Sequence, residues 1–139
     1  MEAHQMIKRT LLCLAIFGLT ASTTLLAHHS LAGVYDMQAK DGEVSGTVES
    51  IKFVNPHGSL NIMVKNHDGT ETNWTFTLGS ATGLAQRGVG PTGQNALHQG
   101  DMVKVKYIPA RNGSPLGFLK SVTYPDGRVV NISAGNPND

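Results

Sequence analysis

From Glu43 onward apolar and polar residues alternate with a period of two, interrupted by Gly, Asn, Asp and Pro. This is the pattern of short antiparallel strands with one buried face. Val44 and Val48 share one parity and Ile51 and Phe53 the other, so a first strand over about 44–54 must change faces part way. A bulge within Gly46 to Ser50 would make that change and bend the strand. Asn55-Pro56-His57-Gly58 is turn chemistry. Leu60, Ile62 and Val64 define a second strand, Asn66-His67-Asp68-Gly69 a hairpin loop, and Trp74, Phe76 and Leu78 a third strand. Ser80 is placed to cap a short helix over about 81–87, with Leu84 turned inward and Gly88 as its stop. Val103, Val105 and Tyr107 then alternate with Lys104 and Lys106 in a fourth strand. A fifth runs over about 117–124, and Pro125-Asp126-Gly127 turns the chain into a last apolar run, Val129 to Ile132.

Three strands, a short helix, two strands and a closing extension make a mostly β protein. The long bent first strand favours a small five-stranded Greek-key barrel of the OB type over an open β-sandwich. The barrel domain is expected over residues 43–133, after an extended segment over 28–42 and before a loose tail over 134–139.

The first residues carry a different signal. Lys8 and Arg9 precede an apolar run from Leu11 to Leu19, and small and polar residues lead to Ala27. Charged start, short apolar run and small residue make a secretory signal peptide over 1–27; the run is shorter than the ~20 residues of a membrane span. A periplasmic or secreted protein beginning at His28 is expected, with no stable membrane insertion after cleavage. The length of 139 residues bounds the chain to one domain. Of its 11 basic and 10 acidic side chains, residues 1–27 hold Lys8, Arg9 and Glu2, so the mature chain carries nine of each. That balance argues against nucleic acid as a partner. The single cysteine, Cys13, leaves with the signal, which excludes disulfides, thiolate nucleophiles and thiolate metal sites from the mature chain.

What remains for chemistry is histidine: His28, His29, His57, His67 and His98. A free amine beside the His28 ring is a chelating nitrogen pair, and His29 and His57 would complete a nitrogen-only site for copper or zinc. The thirteen residues from Ser30 to Gly42 span roughly 40 Å when extended, enough to fold back onto the His57 turn. His67 and His98 fall in polar loops, where solvation is the default. Gly58-Ser59 and Gly79-Ser80 lack a nucleophile elbow, Gly88-Val89-Gly90-Pro91 is no phosphate loop, and the carboxylates fall in turns or outward strand positions. The reading is therefore a non-enzymatic binding protein with metal ligands His28, His29 and His57. The alternative is a metal-free module that binds a small ligand or another envelope protein through the barrel face, with Asn73, Lys104, Lys106 and Arg111 as polar contacts.

Taken in order, Ala27-His28-His29-Ser30-Leu31-Ala32, Tyr35-Asp36, Gly46-Thr47-Val48, Asn55-Pro56-His57, Asp68-Gly69, Asn73-Trp74, Leu78-Gly79-Ser80, Arg87-Gly88 and Gly100-Asp101-Met102-Val103 are similar to a family of small exported bacterial proteins, domain of unknown function 6152. The resemblance runs from His28 to about Ile132. It implies an exported single domain, a small β-barrel and no established activity. The His-His-Ser start and the Asn-Pro-His turn are the distinctive features it maps onto this chain.

Overall fold

The computed structural model describes residues 30–133. The expected signal peptide, His28, His29 and the expected tail over 134–139 lie outside the described residues. A short helix α1 (Ser30–Val34) leads to β1 (Gly42–Lys52), β2 (Ser59–Lys65) and β3 (Glu71–Thr77). Helix α2 (Ala81–Gln86), β4 (Met102–Pro109), β5 (Leu116–Thr123) and β6 (Val129–Asn131) follow. The strands are ordered β3-β2-β1-β4-β5-β6, all antiparallel neighbours. A further parallel pairing of β3 with β5, Thr75 to Thr77 against Leu116 to Phe118, joins the two ends of the five-strand set. That closure makes a barrel and excludes the open sandwich; its strand order and inserted helix are those of the OB fold.

The parity change along β1 is produced by a bulge. Val48 pairs with Ile62 but Ser50 with Asn61, leaving Glu49 as the extra residue. Val48 is fully buried before the bulge, and Ile51 and Phe53 pack on the same core after it. Gly46 is required just upstream, because a Cβ there would collide with the backbone carbonyl of Met63. Inside the barrel, Leu60, Ile62, Phe76, Val105, Leu119 and Val122 are inaccessible to solvent. The Tyr107 ring joins Trp74 and Phe76, with both centroids 5.2 Å away. Helix α2 closes one end of the barrel: Ser80 Oγ accepts the Gly83 N–H at 3.1 Å, Leu84 is buried, and Gly88 turns the chain out at φ 71°.

One expectation is corrected. The segment over 28–42 is not extended throughout, because Ser30–Val34 form a helical turn; the fold has two short helices rather than one. Five residues are too few to print a helical period, and the turn is held from outside. Leu31 and Tyr35 pack on Ile108 and Phe118 as a second, smaller core on the outer surface of β4 and β5. Asp36 N–H donates to Pro109 O, Arg111 N–H donates to Val34 O, and Tyr35 bridges to Ala110, tying this strap to the β4–β5 loop.

Candidate functional site

Residues 53–58 connect β1 to β2, and the Asn55–Pro56 bond within them is cis. Three contacts place this turn. Asn55 Oδ1 accepts the Ala81 N–H at the start of α2, at 3.0 Å. Gly58 exchanges backbone hydrogen bonds with the β3–α2 junction: its N–H donates to Gly79 O and its carbonyl accepts from Leu78 N–H. Gly58 is also pressed on the last turn of β1, where a Cβ would stand 2.5 Å from Lys52 O. The turn is thus built against α2 and the end of β3, with His57 between two anchored residues. His57 is half-buried, and its Nδ1 is fully buried with no hydrogen-bond partner. Buried side-chain polar atoms are nearly always paired, and an unpaired one costs about 1–3 kcal/mol.

The other described histidines are solvated, as the polar loops around them led us to expect. His67 is exposed in the β2–β3 hairpin. His98 sits in a turn with Asp101, whose carboxylate accepts the His98 backbone N–H at 2.8 Å and lies 3.7 Å from Nδ1. Among the described residues no three His, Cys, Asp or Glu side chains converge in a way that could hold a metal ion.

The strap before β1 reaches the strand end next to the His57 turn. Tyr35 Oη lies 2.6 Å from Thr77 Oγ1, and Thr77 is paired with Ser59, two residues beyond His57. Burial raises the Tyr35 pKa, and the bond to Thr77 opposes that in part. Asn61 continues this polar face: its amide donates to Ser50 Oγ and its carbonyl accepts from Thr75 Oγ1.

A second arrangement occupies the outer surface of β4, β5 and β6. Lys104 and Lys106 project from β4, Lys120, Ser121 and Thr123 from β5, and Arg87 reaches in from the end of α2. They line a groove of about 700 Å³. Its cations are braced: Lys104 Nζ is 2.7 Å from Glu43, and Asp41 takes Lys120 at 2.8 Å and Lys106 at 3.4 Å. The hydrogen bond from Lys120 holds the Asp41 carboxyl below the usual aspartate range, and the bond from Lys104 does the same for Glu43. The Arg87 guanidinium donates to Ile132 O. Of the polar contacts read from the sequence, Lys104 and Lys106 meet here. Asn73 on β3 does not line this groove, nor does Arg111, which donates to Ala32 O and faces Asp36. Lys120 and Arg87 carried no site signal in the sequence, because a bulge places the one and a helix end the other, and Asp41, which braces Lys120, lies just before β1.

A closed OB-type barrel with a bent first strand and an anchored Asn-Pro-His turn is thus the class of molecule defined by fold and site. The model of the family of unknown function DUF6152 matches residues 17–119, and the chain belongs to that family. Neither the curated proteins nor the solved structures contain a match to it. No helix among the described residues is long and apolar enough to cross a membrane.

Proposed function

We propose that this chain is an exported, non-enzymatic binding protein that holds a copper or zinc ion through His28, His29 and His57. The observation that supports this reading is the unpaired, buried Nδ1 of His57. A neutral imidazole carries one N–H donor and one bare lone pair. An unpartnered inner nitrogen is therefore either a donor without an acceptor or a lone pair free to take a cation. His28 and His29 stand immediately before the helical strap. Cleavage after Ala27 would add a terminal amine to their two rings. With no cysteine left in the mature chain, such a set is nitrogen-only, which suits Cu(II) or Zn(II).

The test is a Cu(II) titration of three proteins: one beginning at His28, one with an additional residue before His28, and a His57→Ala variant. The first is expected to take up one ion tightly and the other two to bind it more weakly. Equal, weak binding by all three would refute the metal site.

A further inference from the structure

We propose that the groove over β4, β5 and β6 is a binding site for a small multivalent oxyanion, a molecule carrying two or more phosphate or carboxylate groups. The proposal is independent of the histidines.

Its first support is charge. Arg87, Lys104, Lys106 and Lys120 bring four cations to the groove, and Asp41 and Glu43 are the carboxylates braced against them. Two positive charges are left over at the groove although residues 28–139 carry nine basic and nine acidic side chains in all, so global neutrality conceals a local excess. The excess faces a concave surface, where an anion gains more than it would on a flat one.

The second support is the way Lys120 gets there. Lys106 pairs with Ser121 but Tyr107 with Leu119, so Lys120 is the extra residue of a bulge in β5. In an unbroken strand, Lys120 and Ser121 would face opposite sides of the sheet. The bulge turns both to the groove, which is the use of bulges beside binding sites: they re-aim a side chain. The same bulge lets Leu119 and Val122, three residues apart, both reach the core, and it leaves Lys120 and Ser121 together on the groove side.

Third, the ammonium groups are already held. A lysine that must be ordered by its ligand gives up much of the binding energy as side-chain entropy. Here Asp41 and Glu43 fix three of them before a ligand arrives, while the side chains of Lys104 and Lys106 remain about half exposed, at 53% and 47%. Ser121, Thr123 and Asn131 add neutral hydrogen-bonding groups along the floor. The volume exceeds what one phosphate fills, and none of the lining residues is aromatic, so bases would find no stacking platform. Paired oxyanions on a compact molecule are the chemistry that fits.

Calorimetric titration of the protein, freed of metal by dialysis, with tripolyphosphate, citrate and inorganic phosphate tests this at low salt. At least one of the two multivalent probes is expected to bind at a single site, more tightly than inorganic phosphate, with an affinity that falls as salt is raised. In Lys104→Gln/Lys106→Gln that affinity should drop about tenfold or more, as expected from loss of two charge-assisted contacts. Lys52→Gln, an exposed cation on β1 outside the groove, should leave it unchanged. No saturable binding of either multivalent probe would overturn the proposal. So would binding that the double variant keeps, or that Lys52→Gln weakens equally.

Discussion

The ring of Tyr107 lies directly on Gly117, where a Cβ would stand 2.5 Å from the ring's Cδ2 and 3.0 Å from Phe76. Gly42, paired with Tyr107 across β1 and β4, is covered by the same ring. The barrel therefore accommodates its aromatic cluster of Trp74, Phe76 and Tyr107 by leaving out two side chains beneath it. Gly117→Ala is expected to destabilise the protein by about 1–3 kcal/mol through overpacking, read as a lower denaturant midpoint at unchanged slope. Gly33→Ala, in α1 with no atom within 4 Å of the new methyl, should be neutral or stabilise by up to about 1 kcal/mol. Equal losses from both would show that Tyr107 does not depend on the glycine.

The strap is held to the barrel by backbone hydrogen bonds to β4 and the β4–β5 loop, by Arg111 on Ala32 O, by the bond between Tyr35 and Thr77, and by a small apolar contact. Tyr35→Phe removes the bond to Thr77 while keeping the ring against Phe118, and should cost about 0.5–1.5 kcal/mol. A double-mutant cycle with Thr77→Val checks the assignment. The two losses should be less than additive, because both variants delete the same bond.

Asn55 joins the His57 turn to α2. Asn55→Ala leaves the Ala81 N–H without its acceptor and should lower stability by about 1 kcal/mol, read by thermal unfolding. If the turn positions a metal ligand, the same variant also weakens Cu(II) uptake although it removes no ligating atom.

Acid should release the brace at Asp41. Its carboxyl is held below the ordinary range, first by the hydrogen bond from Lys120 and further by Lys106, while desolvation opposes both. A folded-state pKa below the unfolded value means that the ionised form stabilises the fold. That contribution is complete well above the ordinary aspartate value of ~3.9 and is lost as pH falls below it through the lowered folded value. Wild type should therefore be more stable than Asp41→Asn at pH 7, with the difference closing below about pH 4. A difference that stays constant from pH 7 to pH 3 would contradict the brace.

Much of this architecture is legible in the sequence, because local chemistry and tertiary packing agree there. Ser80, Leu84 and Gly88 mark the start, inner face and end of α2. The clash of parity between Val48 and Ile51 announces the bulge at Glu49. Where they do not agree, the pattern is silent. Ser30–Val34 is a single turn whose reason is the remote pair Ile108 and Phe118. Val89 and Leu97 lie in a glycine-rich connection that reads as surface loop, yet both are buried in the main core. Lys120 sits at a bulge that the pattern masks, because Phe118 and Val122 share a parity although Phe118 packs in the outer cluster and Leu119 in the main core, so its meeting with Lys106 and Asp41 was hidden. Of the candidate metal ligands, only His57 lies among the described residues. Its turn could be read from Asn-Pro-His-Gly, but its unpaired nitrogen could not, since pairing depends on everything packed around it.

The N-terminal residue and the metal content of the protein recovered from cells that make it are the direct check on the proposed export and metal site. A chain that begins at His28 and carries, or takes up stoichiometrically, one copper or zinc ion is expected. A chain that still begins with Lys8 and Arg9 in place, or one that begins at His28 and neither holds nor acquires either metal, would contradict it.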